Sequence, residues 1–556
     1  MNSHAGATDI SRRFDEDGAT GRLFTSLEYL NRIGVALSQE KNLDKLLETI
    51  LTAAKNITNA DGGTLYRLVG DQLKFEIVLN DSLKIAMGGT TGAPVPFSPI
   101  PLHSPENGAA NNSMVAAYAA LHNETVNIAD AYTADGFDFS GTRAFDLKTG
   151  YRSTSFLTIP MKNHEGVVIG VLQLLNAQNR HNAVTPFTIE DQRLAESLAS
   201  QAAIALTNRM LITQLEDLFE SLIALINTAI DEKSPYTGGH CERVPALTMM
   251  LAEAASNATC EPLAHFCMTD KDRYELKIAG LLHDCGKITT PVHVVDKATK
   301  LETIFDRVHF VTQRFEILKR DAEITMLRAT ISAQAAGNTE SITLLQQNYQ
   351  LQLAQFADDQ AFIRRVNVGG ERMGADDQAR VNQIAAYQLT NEHGHLQPFL
   401  AEDERLNLTI AYGTLTQPER EIINHHIVAT INMLEALPWP NHLRNVPEYA
   451  GGHHERMDGR GYPRGLKREQ MSVQARVMGI ADIFEALTAK DRPYKPGKTL
   501  SESLHILGKF KENGHIDPDL FDVFVREKIY LQYAEQFLDA VQIDDVNMAA
   551  IPGYIQ

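Results

Sequence analysis

The sequence predicts a multidomain chain: an α/β domain with an antiparallel sheet flanked by helices, a connecting helix, and an all-α domain carrying a helical insert. Strand-like runs mix with helical periodicity only as far as about residue 208. A leucine run at alternating steps of four and three follows, and from about 231 the pattern is helical with Gly- and Pro-marked turns. At 556 residues the chain exceeds the size at which one hydrophobic core stops growing.

Taken in order, residues 1–24 are polar and expected to be loosely ordered, with no apolar signal core. The α/β domain is expected over 25–208. It opens with helical periodicity through Asn31–Thr58, then strands at Gly62–Val69 and Lys74–Leu79. Ser155–Met161 and Gly166–Asn176 follow, separated by a turn; the near-continuous apolar run Val167–Leu175 predicts a central strand. The connecting helix is expected over 187–230, capped by Thr188 with Asp191 three residues on. Within it Leu211, Leu215, Leu218, Leu222, Leu225 and Ala229 form an a/d seam, which predicts a parallel homodimer. The helical domain is expected over 231–530 and a tail over 531–556. An insert at about 311–410 is rich in Gln and Ala and predicts a helical hairpin turning at Gly337-Asn338, without a ligand cluster.

Composition narrows the function classes. A formal charge of −19 disfavours binding along long nucleic acid. It leaves small anionic substrates open, since a bound cation inverts the local field. No apolar stretch is long enough to span a bilayer. The four cysteines lack C-x-x-C pairing and read as reduced thiols, which places the protein in the cytoplasm.

Ligand-type residues concentrate in the helical region. His283 and Asp284 lie side by side after the apolar stretch Ala279–Leu282, and Gly286 lets the chain turn behind them. An adjacent imidazole and carboxylate can share one divalent metal, and the second carboxylate oxygen can reach another. Lys287 can hold a phosphate as a point charge. His240 lies upstream; His425, His426, the pair His453-His454 and Asp482 lie downstream. Two adjacent imidazoles in a Gly-flanked turn have little packing value. The set therefore predicts a two-metal hydrolytic site that clamps a phosphodiester, suited to iron or manganese, with zinc a third candidate.

These segments resemble the HD-GYP family of the HD phosphohydrolase superfamily. The resemblance is carried by His283-Asp284-Cys285-Gly286-Lys287, His453-His454-Glu455-Arg456 and Asp458-Gly459-Arg460-Gly461-Tyr462-Pro463. Ala481-Asp482, Ala486-Leu487-Thr488 and Arg492-Pro493-Tyr494-Lys495 complete it. It implies hydrolysis of cyclic di-GMP to pGpG or GMP. It implies one metal on His240, His283, Asp284 and Asp482, and a second on Asp284, His426, His453 and His454. It also implies Lys287, Arg492 and Lys495 on substrate phosphates, with Asp284 and Lys287 as the catalytic pair. Tyr462 either stacks on guanine or packs.

Three departures bear on this. Tyr236 stands where three-metal members place a carboxylate, which favours two metals. His309 and His425 compete with His426, which is preferred because Leu415-Thr416 and Glu419 precede it. Glu485 stands where the family has a second Asp, and one extra residue precedes Arg492.

The N-terminal region resembles a GAF sensory domain in Gly63–Leu68, Asn127–Tyr132, Phe145–Met161 and Gly166–Asn176. That resemblance leaves room for a bound small molecule and implies regulation through the connecting helix. The expected function is thus a GAF-regulated cyclic di-GMP phosphodiesterase. The alternatives are a non-catalytic scaffold that binds partners such as diguanylate cyclases, or action on another cyclic nucleotide.

Overall fold

The computed structural model describes residues 19–233, 239–259, 261–370, 372–490 and 497–554. The chain divides into two compact units between Phe219 and Glu220.

The first unit is built on one antiparallel sheet, with eight strands among the described residues. These are β1 (Ala60–Val69), β2 (Gln72–Asn80), β3 (Ile85–Gly88), β4 (Ile100–Pro101), β5 (Val126–Ile128), β6 (Phe156–Lys162), β7 (Val168–Gln178) and β8 (Val184–Thr185). The order is β3-β2-β1-β7-β6-β5, with β4 on β2 and β8 on β7. The predicted central strand is β7, held between β1 and β6.

Side-chain alternation sends Leu65 to one face of the sheet and Tyr66 to the other. The first face packs on the helix Leu43–Thr58 through Leu46, Leu47, Ile50 and Leu51, joined by Ala195, Leu198, Ala202 and Leu206 of the helix Ile189–Lys233. The second face packs Tyr66, Leu73 and Val171 on Ala116, Ala117 and Ala120 of the helix Val115–His122.

The periodic run Asn31–Thr58 is two helices, Ala19–Gln39 and Leu43–Thr58, not one. Asn42 separates them: in extended backbone, its side chain accepts from the Lys45 amide and starts the second helix. The helix Ile189–Lys233 does begin with the Thr188/Asp191 reciprocal cap, at 2.8 and 3.1 Å.

In the second unit the helix Val473–Thr488 is the buried element, with Val477, Met478, Ile480, Ala481 and Phe484 inside. Phe484 contacts Phe524 and Tyr533 edge-on. The helix Asp270–Leu282 starts with a Thr269/Asp272 capping box, and Glu275 ties it to Asn445, the residue before the helix Val446–Gly451.

The insert carries its own core of Val311, Phe315, Phe362, Ile363, Ile384, Phe399 and Leu408. Its long helices, Val308–Ala335 and Thr339–Asn367, meet at Gly337-Asn338, and Gly337 takes the positive φ that this turn requires. It is not wholly helical: Gln388–Thr390 and Leu396–Pro398 form a small hairpin. Among the described residues no helix is long and apolar enough to cross a membrane.

Candidate metal centre

The site is assembled from helix ends, one turn and the interiors of two helices, Gln417–Glu435 and Val473–Thr488, which carry His426 and Asp482. His283 ends the helix Asp270–Leu282, and Asp284 opens the 3-10 turn Cys285–Thr289. Gly286 permits this turn to lie against the helix Gln417–Glu435. Its amide donates to Thr430 Oγ1 at 2.9 Å. A Cβ there would sit 2.0 Å from the His426 carbonyl oxygen. His240 opens the helix His240–Ser256, His453 and His454 follow the helix Val446–Gly451, and Asp482 projects from Val473–Thr488.

Asp284 is the hub. Its side chain is 3% exposed. Oδ2 lies 3.0 Å from His240 Nε2, 3.3 Å from His283 Nε2 and 2.5 Å from Lys287 Nζ. Oδ1 lies 3.3 Å from His426 Nε2. Asp482 Oδ1 lies 3.5 Å from His240 Nε2. His426 and His454 face each other Nε2 to Nε2 at 3.1 Å, and the His453 and His454 rings lie 4.1 Å apart between centroids, tilted by 46°. The structure thus brings His240, His283, Asp284, Lys287, His426, His453, His454 and Asp482 into one cluster. It leaves out His309 and His425, which are exposed on their helices. Arg492, Lys495 and Tyr236 lie outside the described residues.

Ring orientation is fixed from behind. His283, His426 and His453 each donate Nδ1–H to the carbonyl three residues earlier, Gly280, Ile423 and Ala450, at 2.7, 2.5 and 2.6 Å. Those bonds set the tautomer and aim the unprotonated Nε2 inward. Burial, reinforced by His283, pushes His453 down to about 4, so it stays neutral and able to ligate at neutral pH. Burial also lowers His454. Burial and the Lys287 cation push His240 down, but Asp284 and Glu485 outweigh them and hold it at about 9. Burial opposes ionisation of Asp284, yet Lys287 and the imidazoles keep its carboxyl well below the usual range.

Buried polar groups are ordinarily paired. Here His283 Nε2, His453 Nε2 and Asp284 Oδ1 are buried without hydrogen-bond partners. Two sets of ligand atoms converge closely enough to hold an ion: His240, His283 and Asp284, and His426, His453 and His454. Imidazole and carboxylate donors suit divalent transition metals, and the residues present fit them.

Two acids not placed in the site by sequence reasoning shape it. Glu455 is buried and accepts from the amides of Arg464 and Leu466, both at 2.8 Å, which pins the loop carrying Tyr462. Tyr462 stacks on the His454 ring at 4.9 Å and 22°, so one of its faces is committed to that ring. Glu485 accepts from His240 Nδ1 at 2.6 Å. It lies one helical turn beyond Asp482, and that same-face spacing was the available signal.

Comparison with known proteins follows this division. A GAF domain model matches residues 42–206. HD domain models match 237–359 and 378–520. The chain therefore combines a GAF domain with HD-domain sequence that holds the cluster. Among its relatives is a cyclic di-GMP phosphodiesterase of Pseudomonas aeruginosa, 39% identical over 20% of this chain and 26% of that protein. A 3'3'-cGAMP-specific phosphodiesterase of Vibrio cholerae is 46% identical over 15% of this chain and 19% of that protein. A cyclic di-GMP phosphodiesterase of Thermotoga maritima is 32% identical over 21% and 34%. The chain thus spans about a third or less of the length of these relatives.

Gly286→Ala is expected to force the turn off the helix Gln417–Glu435 and to cost at least about 1–3 kcal/mol, as overpacking does. Denaturant unfolding checks this; an unchanged midpoint would contradict the close contact.

Proposed function

We propose that this chain is a GAF-regulated, metal-dependent phosphodiesterase that hydrolyses cyclic di-GMP to pGpG or GMP, with two divalent ions, iron or manganese, in the cluster around Asp284. The observation that carries this reading is the convergence of two sets of ligand-type atoms around one buried carboxylate, with His283 Nε2 and His453 Nε2 left without hydrogen-bond partners. A hydrolytic site needs such a set, and packing does not. On this reading His240, His283, Asp284 and Asp482 hold one ion, and Asp284, His426, His453 and His454 hold the other. When bound, such ions supply Lewis acidity toward a phosphoryl oxygen and lower the pKa of water.

The residues of the chain do the rest. Asp284 keeps the two halves in register with one oxygen toward each. Lys287 is cationic, since Asp284 and Asp482 outweigh its burial. It can turn from Asp284 Oδ2 to a substrate phosphate and neutralise developing charge. Arg492 and Lys495 would contribute further phosphate contacts. Tyr462 braces His454 and offers only its remaining face to a base. The similarity to a 3'3'-cGAMP-specific enzyme favours a second reading of the substrate, in which one guanine is replaced by adenine.

Regulation and assembly belong to the same proposal. The helix Ile189–Lys233 exposes Leu211, Leu215, Leu218, Leu222 and Leu225 at 46–64%. Ile223 and Ile230, on another side of that helix, are buried. The exposed stripe keeps the heptad spacing and supports a parallel homodimer. At the end of this helix Lys233 Nζ donates to the carbonyl of Lys287 at 3.2 Å and to that of Ile288. Movement of the helix would therefore reach the backbone of the HD turn directly. Free thiols at Cys241, Cys267 and Cys285 fit a reducing compartment and so a cytoplasmic enzyme.

Asp284→Ala is expected to lower cyclic di-GMP turnover about 10²–10³-fold, the cost of losing one group that supports stabilisation of developing charge. Chromatographic product analysis beside 3'3'-cGAMP checks both substrate and site; undiminished turnover by the variant would sink the reading. Leu218→Glu with Leu222→Glu is expected to yield monomers in analytical ultracentrifugation. A persisting dimer would show that the seam lies elsewhere.

A further inference from the structure

Four of the clustered histidines are oriented by two different devices. His283, His426 and His453 each lean on a backbone carbonyl three residues earlier. His240, the first residue of its helix, is oriented by a side chain. Its Nδ1 meets Glu485 Oε2 at 2.6 Å instead. The other oxygen of that carboxylate accepts from Arg243 Nε at 2.8 Å and Nη2 at 2.7 Å. Arg243 lies one turn beyond His240 on the same helix, and Glu485 lies one turn beyond Asp482 on another. The chain Arg243–Glu485–His240 therefore links the two helices that supply ligands to one half of the centre.

The Glu485 side chain is 1% exposed, and that of Arg243 is 16% exposed. A buried carboxylate forked to arginine is already satisfied in charge. Turning its second oxygen to an imidazole adds nothing the ion pair needs. It does three things for His240. It holds the proton on Nδ1, it aims Nε2 at Asp284 and Asp482, and it gives the ring an anionic neighbour that strengthens Nε2 as a donor. A carbonyl supplies only the first two.

We propose that Glu485, clamped by Arg243, is a positioning residue that selectively raises the metal affinity of the half-site formed by His240, His283, Asp284 and Asp482. This rests on the two-metal reading of the cluster. The half-site of His426, His453 and His454 has no equivalent among the described contacts and would not feel the change.

The test uses the full chain, stripped of metal and equilibrated with Mn²⁺ at a series of free concentrations, with bound Mn²⁺ counted by elemental analysis. Glu485→Gln keeps the shape but removes the charge. It is expected to weaken one of the two Mn²⁺ sites roughly 10–100-fold. The other site and the circular-dichroism helix signal should stay as in the wild type. Arg243→Lys keeps a charge but loses the fork, and a smaller weakening of the same site is expected. It also serves if Glu485→Gln does not fold. Wild-type affinity at both sites in a folded variant would overturn the proposal, and so would equal weakening of both. A wild-type chain that binds no Mn²⁺ would instead overturn the metal reading on which the proposal stands.

Discussion

One buried carboxylate sets the terms for the helical unit. Asp284 sits at 3% side-chain exposure with three histidines within 3.3 Å and a lysine at 2.5 Å. An isolated charge in such a place would be neutralised or expelled. It persists because the Lys287 ammonium and the protonated His240 ring meet it from two sides. His240 is pulled up to about 9 by the carboxylates around it, while His453, farther from them, is pushed down to about 4 by burial. The proton on His240 and the Lys287 ammonium offset the carboxylate charge. The arrangement is costly to bury and weak as a stability device, which points to function as the reason for keeping it.

The scaffold explains how so many polar groups can be held without collapse. Five of the clustered residues, His240, His283, Asp284, His453 and His454, lie at helix ends or in the turns beside them, where backbone groups are available to fix them, while His426 and Asp482 project from helix interiors. Gly286 is the geometric condition for the assembly, since any Cβ there would strike the helix that carries His426. Glu275 and Thr430 then tie that turn and its helix to their neighbours. The insert interrupts the sequence between ligands but builds its own core. The clustered residues before it, through His283 and Asp284, and after it, from His426 onward, still meet.

Much of this was legible in the sequence, for physical reasons that differ by residue. The pairs His283-Asp284 and His453-His454 stood out because adjacent polar groups beside apolar helix have no packing rationale. The choice among His309, His425 and His426 was not decidable by ligand chemistry. It turns on helix phase, which buries His426 and leaves His425 in solvent about 100° around the axis. Glu485 was seen only as a departure, because its partner His240 lies 245 residues away and only folding brings them together. The long strands β1, β2, β6 and β7 were visible as apolar runs. The strands β3, β4, β5 and β8 have at most four residues, too few to display a period. The break at Asn42 was hidden by apolar spacing that continues across it.

The central claim is that Asp284 stands between two metal ions. Anomalous X-ray scattering from crystals of the Mn²⁺-loaded protein, recorded on both sides of the manganese edge, tests it most directly. The account predicts two peaks flanking Asp284, one among His240, His283 and Asp482 and the other among His426, His453 and His454. A single peak away from Asp284, or none in a fully loaded crystal, would contradict it.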